Sequence, residues 1–203
     1  YKDTVEYLRA QGLPVIADVK RGDIAKTAEM YARAHFTGEL EVDWMTLAPY
    51  MGLDSIEPYA QYMRENGKGV FVLCRTSNPG AKDFEYELLA DGRHVYDMVG
   101  DKLNAMGKAF LGESGYSSLG LVIGGTHIEE AMQIRARYRD SFFLIPGYGA
   151  QGGTAQDIAQ YLSAGNGGVL LAYKKQPGVP FAEAAYNECV KMKEAIAHAC
   201  AEL

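Results

Sequence analysis

The sequence predicts an α/β protein built on a parallel sheet. Short runs of almost continuously apolar residues alternate with longer stretches of helical periodicity, as expected of strands covered on both faces. Each run is followed by Gly, Pro, Asp, Ser or Thr, and the strand–helix unit repeats about every 25–30 residues. The five clear runs cover residues 15–18, 44–48, 69–74, 119–123 and 142–145, and a sixth candidate covers 168–173.

Helices are predicted between and around these runs. A first helix over residues 4–11 precedes the first strand. Residues 128–139 form another, with Glu129 and Glu130 in its first turn and basic residues late. A short helix over 157–163 and a longer one beginning at Pro180 complete the chain. No Pro/Ser-rich linker divides the sequence, so we expect one domain over residues 1–203.

Two architectures fit this alternation, a (β/α)8 barrel and a doubly wound open sheet. No G-x-G-x-x-G fingerprint follows the first strand, and polar residues follow several different strands, which favours the barrel. Eight units usually need about 250 residues. With 203 residues and little chain before Val15, there is no room for two further strands before the first one.

The composition excludes several classes of protein. A formal net charge of −6 disfavours a nucleic-acid partner. The three cysteines form no C-x-x-C pair and the four histidines show no ligand spacing, so we expect no metal site. The chain shows no secretory signal pattern and no window of 18 apolar residues, which predicts a cytoplasmic protein that does not enter a membrane.

The densest functional signal is the segment VIADVKRGDIAKT at residues 15–27. Asp18 and Lys20 stand two apart at a strand end, so their side chains point the same way, and Asp23 follows in the loop. Two carboxylates around one ammonium would keep Lys20 charged and make it a candidate general acid. A plain ion pair at a strand end, with Arg21 and Lys26 as solvated charges, explains the spacing equally well.

Two further segments follow later strands. IPGYGAQGG at 145–153 has four glycines whose amides can form an anion nest, and the helix after it adds its N-terminal dipole. RTSNPG at 75–80 offers Ser77 and Asn78 for hydrogen bonds to a polar heterocycle. Tight turns without a ligand would account for both segments as well.

Taken together, these segments resemble the orotidine 5′-phosphate decarboxylase family, in its bacterial type 2 branch. The matching pieces are DVKRGDIAKT at 18–27, APYMG at 48–52, TSNPG at 76–80, GGT at 124–126 and PGYGAQGG at 146–153. Their order is right, and the match runs through nearly the whole chain. The D-x-K-x-x-D motif is shared with sugar-phosphate relatives, whereas the later segments are more specific.

The resemblance implies a (β/α)8-barrel homodimer that decarboxylates orotidine monophosphate (OMP) to uridine monophosphate (UMP) without a cofactor. It implies that Lys20 protonates C6, that Asp18 lies beside the substrate carboxylate, and that Asp23 reaches the partner's site. The implied substrate-binding residues are Ile24 and Thr27 near Asp23, Ser77 at the base, and Pro146, Gly149, Gln151 and Gly152 around base and phosphate.

The sequence departs from the family pattern in two places. The family has two strands before this point, bearing an Asp and the first Lys of a Lys-Asp-Lys-Asp network, and a phosphate-gripping Arg segment after the last strand; this sequence shows neither. We therefore expect the first two strands and part of the last βα loop of the (β/α)8 barrel to be missing from this chain. Two alternatives therefore stay open beside the decarboxylase. One is a Mg-dependent sugar-phosphate decarboxylase or aldolase of the same superfamily, and the other is a catalytically inactive phosphate-binding relative.

Overall fold

The computed structural model describes residues 1–125 and 128–146, together with single helical positions between 187 and 198. Helices and strands alternate along the described chain, with short 3-10 turns between them. The elements are α1 (Lys2–Ala10), β1 (Ile16–Arg21), α2 (Ala25–Phe36), β2 (Trp44–Leu47), α3 (Glu57–Glu65), β3 (Gly69–Arg75), α4 (Val95–Gly107), β4 (Ser117–Ile123), α5 (Ile128–Arg137) and β5 (Ser141–Leu144).

The five strands form one sheet in the order β1-β2-β3-β4-β5. β1 pairs in parallel with β2, and β2 pairs in parallel with β3, where Trp44 lies opposite Gly69 and Leu47 opposite Val72. Consecutive parallel neighbours joined by helices are the βαβ arrangement that the alternation predicts. Because parallel strands end at the same edge, the residues after β1, β2 and β3 share one edge of the sheet.

The sequence predictions for the elements are confirmed wherever the structure describes them. All five clear strands are present, and the helices predicted over 4–11 and 128–139 are observed as α1 and α5. Residues 157–163 and 168–173 lie outside the described part, and the described positions between 187 and 198 are helical. None of the described helices is long and apolar enough to cross a bilayer.

β1 differs from the prediction of a strand covered on both faces. Buried and exposed residues alternate along its first half: Ala17 is buried, whereas Ile16 is 42% exposed. The reason is its place at the end of the described sheet order, where a strand has a neighbour on one side. β3 and β4 lie inside the sheet and are buried along almost their whole length, as continuous apolar runs predict.

The chain divides into two compact units. The first comprises Tyr1–Val122 with Asp140–Phe142, and its core includes Met45, Val70 and Leu121. The second comprises Ile123–Arg139 with Phe143–Leu203; in its described part the Arg135 guanidinium lies 3.5 Å from the centre of the Phe143 ring. Cys74, predicted to be a core residue, is buried in the first unit and its thiol contacts the carbonyl oxygen of Tyr96 at 3.4 Å.

Candidate active site

The pair predicted to carry the chemistry lies at the carboxyl end of β1. The Lys20 ammonium donates to Asp18 Oδ1 at 2.6 Å, and both side chains are 52% exposed. The second carboxylate of the motif, that of Asp23, forms no ion pair with Lys20 in the described part of the chain. The sequence led us to expect two carboxylates around Lys20, and the described chain supplies one of them.

Asp23 has a different task, at the start of α2. Its Oδ1 accepts the backbone N–H of Ile24 at 2.8 Å, and the next residue, Ala25, has a φ of +47°. This geometry turns the chain sharply into the helix. It leaves Ile24 52% exposed and Thr27 exposed on the first turn of α2, so these three predicted site residues form a projecting corner beside β1.

The backbone under Lys20 is irregular. Ala17 pairs with Met45 and Arg21 pairs with Leu47, so residues 18–20 of β1 lie opposite Thr46 alone. Lys20 has a φ of +44°, in the left-handed region that L-residues with a side chain rarely adopt. Bulges of this kind redirect side chains and occur next to active sites. The irregularity therefore sets the direction of both Asp18 and Lys20.

Beneath this strand end lies a cluster that the sequence did not predict. The Arg21 guanidinium lies 4.6 Å from the centre of the Tyr31 ring, and its Nε donates to Nε2 of the buried His35 at 3.4 Å. Burial, and then the charge of Arg21, lower the pKa of His35. Burial is also the larger effect on Tyr59 and raises the pKa of Tyr59 to about 12, although the charge of Arg21 acts on it as well. Arg21 is thus held against aromatic rings, whereas Lys26 is an exposed charge paired with Glu29 at 2.7 Å.

Ser77 follows β3 at the same edge of the sheet and is half-buried. The residue before it is fixed by Glu85, whose two carboxyl oxygens accept the Thr76 backbone N–H and hydroxyl, each at 2.7 Å. The Arg75 side chain is fully buried and donates to the Tyr86 hydroxyl at 3.0 and 2.7 Å. Hydrogen bonds with charged side chains therefore fix the backbone conformation after β3, and no local sequence motif indicated them.

Pro146 follows β5 and belongs to the second unit, where its carbonyl oxygen accepts the Gly125 N–H at 3.1 Å. The other three predicted residues of the glycine-rich segment, Gly149, Gln151 and Gly152, lie outside the described residues. In the part of the chain that is described, no group of three or more His, Cys, Asp or Glu side chains is placed to hold a metal ion.

A parallel α/β fold with charged and polar side chains at the carboxyl ends of its strands is the arrangement of (β/α)8-barrel enzymes and of other parallel α/β proteins. Comparison with known proteins gives the particular family. A family model described as "Orotidine 5′-phosphate decarboxylase / HUMPS family" matches residues 2–168, and the chain belongs to this family. The predicted resemblance and the predicted (β/α)8-barrel fold class are thereby confirmed.

Individual relatives agree with this family. The chain is 56% identical over 207 residues to the orotidine 5′-phosphate decarboxylase of Clostridium tetani, with 98% of this chain and 72% of that protein covered. The enzyme of that name from Petrotoga mobilis is 53% identical, with 97% and 71% covered. Among solved structures, Leishmania donovani OMP decarboxylase is 30% identical with a TM-score of 0.68, and 95% and 73% of the two chains are covered.

Proposed function

We propose that the chain is an orotidine 5′-phosphate decarboxylase, which converts OMP to UMP without a cofactor in cytoplasmic pyrimidine biosynthesis. The observation that carries the proposal is the Asp18–Lys20 pair, 2.6 Å apart on a bulge at the end of a parallel strand. Relatives more than half identical to this chain bear the name of this activity. An ammonium beside the carbon that loses CO2 can stabilise the carbanion and then protonate it.

In the proposed reaction, the bond between C6 of the pyrimidine and the carboxylate breaks, and its electron pair stays on C6. The Lys20 ammonium faces this charge, stabilises it and then transfers a proton to C6. CO2 leaves, and Lys20 regains its proton from solvent. Asp18 holds the ammonium through its Oδ1 until the substrate carboxylate arrives beside it. Each step uses groups that β1 places within reach of one another.

The rest of the substrate is assigned to the other strand ends. Ser77, after β3, contacts the base, and Thr76 and Glu85 keep that turn in place. Pro146, Gly149, Gln151 and Gly152 contact base and phosphate through the glycine-rich segment. Binding the unreactive phosphate supplies energy that can be realised at the reacting carbon. The phosphate segment thereby contributes to catalysis without taking part in bond breaking.

The activity is tested by following the ultraviolet absorbance of OMP as it loses its carboxylate. We expect turnover by the protein as the cell makes it, with UMP as the product and no change in rate when a chelator is added. Loss of activity with the chelator would favour the Mg-dependent sugar-phosphate alternative. Binding of UMP without turnover of OMP would point to the inactive phosphate-binding alternative.

We further propose a homodimer in which Asp23, Ile24 and Thr27 complete the partner's site. These residues form the projecting corner beside β1, in which Ile24 is 52% exposed, and Met51, which is 40% exposed, lies beside the neighbouring Gly22. An apolar surface of this kind is typical of a protein–protein contact. A two-fold axis would place the corner of each copy against the Asp18–Lys20 pair of the other.

Complementation between two inactive variants tests this arrangement. Lys20→Ala and Asp23→Ala are each expected to lack activity, because each removes one group from every site. Co-expression of the two forms mixed dimers in which one site keeps both groups, so about a quarter of the wild-type activity should return. If the mixture stays as inactive as its components, while sedimentation shows that mixed dimers form, Asp23 does not act across the interface.

A further inference from the structure

Thr46 is the residue of β2 that lies opposite the irregular stretch of β1, and its side chain is fully buried. Its Oγ1 accepts the backbone N–H of Lys20 at 2.8 Å and donates to Asp18 Oδ1 at 3.0 Å. The same carboxyl oxygen accepts the Lys20 ammonium at 2.6 Å. One hydroxyl thus contacts the backbone of one proposed catalytic residue and the side chain of the other.

The hydroxyl serves an N–H that the bulge leaves outside the ladder. Three residues of β1 share one opposing residue here, and the extra residues of a bulge have no partner in the ladder. A φ of +44° costs an L-residue such as Lys20 about 1–3 kcal/mol, and such a conformation persists where its surroundings determine it. The Thr46 hydroxyl is the buried group that satisfies the displaced N–H.

The stereochemistry of threonine suits this task. A hydroxyl has one hydrogen to donate and lone pairs to accept, so it serves Asp18 and the Lys20 N–H together. The β-branch restricts χ1, and burial within the sheet restricts it further. The position of Oγ1 is therefore fixed by the packed strand rather than by the exposed pair above it.

We propose that Thr46 is a positioning residue that aims the Lys20 ammonium and orients the Asp18 carboxylate through its hydroxyl. This inference rests on the proposed decarboxylase function for its kinetic consequence. Its structural part, the restraint of the Lys20 backbone and of the Asp18 carboxylate, stands on the two hydrogen bonds. Thr46 touches no reacting atom and acts through its two neighbours.

The test compares Thr46→Val, which keeps the shape and removes the hydroxyl, with Thr46→Ser, which keeps the hydroxyl. Amide hydrogen exchange, measured by NMR, should show the Lys20 N–H exchanging about tenfold faster or more in Thr46→Val, because the donor loses its acceptor. The Ala48 N–H, which donates to the Arg21 carbonyl oxygen at 2.8 Å, is the internal control and should keep its rate. Thr46→Ser should match the wild type at both amides.

In the decarboxylation assay, Thr46→Val should lower kcat about 10–100-fold with little change in KM. This is the effect expected when a catalytic group is displaced slightly from its productive position. Thr46→Ser should recover most of the rate. If Thr46→Val fails to fold, Thr46→Ala removes the same hydroxyl without placing a methyl group at its position. Wild-type exchange at Lys20 or wild-type kcat in the hydroxyl-free variant overturns the inference. If the wild type itself does not turn over OMP, the proposed function fails, and the exchange rates still decide the role of the hydroxyl.

Discussion

Replacing Lys20 with alanine is expected to lower kcat by about 10⁴-fold or more. The substitution removes a positioned proton donor, worth about 10²–10⁴-fold, and a fixed charge facing the developing carbanion, worth about 10²–10³-fold. It also leaves Asp18 without the ammonium that it contacts at 2.6 Å, so two carboxylates meet when OMP binds. The absorbance assay measures the loss, and a far-ultraviolet circular dichroism spectrum shows whether the fold is retained.

Lys26→Ala is the matched control for this variant. Lys26 belongs to the same motif, six residues further on, but its side chain is 77% exposed and paired with Glu29 on the surface of α2. Its removal should leave kcat within about twofold of wild type, since exposed pairs contribute little. UMP, which lacks the carboxylate, should bind Lys20→Ala with a smaller loss of affinity than OMP. Decarboxylation by Lys20→Ala within tenfold of the wild-type rate would refute the proton-donor role.

Replacing Gly120 with alanine is expected to cause a large loss of stability. A Cβ at this position of β4 would lie 2.7 Å from two carbons of the Phe71 ring and 2.8 Å from the main-chain oxygen of Phe142. Phe71 is stacked on Trp44 with ring centres 4.6 Å apart, so its ring is held in place. The added methyl must displace both a ring and the backbone of β5.

Overpacking of this kind typically lowers the free energy of unfolding by about 1–3 kcal/mol. Urea denaturation of the wild type and variant measures the difference. Gly112→Ala is the control, because its new Cβ would meet the Tyr116 carbonyl oxygen at 3.6 Å, an ordinary contact. Equal midpoints for Gly120→Ala and the wild type would show that the three strands can separate locally at little cost.

The elements were predictable from the sequence because continuous apolar runs and helical periodicity follow directly from burial. β3 and β4 illustrate this, since nearly every residue in them is buried and most are apolar. The D-x-K spacing likewise placed Asp18 and Lys20 on one side of a strand end. The two residues stand two apart in one segment, so their proximity could be predicted, although the bulge opposite Thr46 sets the directions of their side chains.

The features that the sequence did not predict depend on strand register and on contacts between separate segments of the chain. The bulge at residues 18–20 and the contacts of Thr46 arise from how β2 aligns with β1, and that alignment is set by the whole sheet. The burial of Arg75 against Tyr86, and the support that Glu85 gives to Thr76, join residues about ten positions apart through a loop. The plain ion-pair explanation of the motif made Arg21 a solvated charge, whereas the structure places its guanidinium over the Tyr31 ring.

The exposure of the Asp18–Lys20 pair has a consequence for the order of events in a catalytic cycle. At half exposure, water screens the attraction between the two charges, so such a pair contributes about 0–1 kcal/mol and its partners exchange readily. The Lys20 ammonium can thus exchange Asp18 for an arriving substrate while the Lys20 backbone stays held by Thr46. Once the substrate displaces that water, the same charges interact in a medium of lower dielectric constant and every attraction or repulsion grows. The charge interactions of the site are therefore weak before the substrate binds and strong once it has displaced the water.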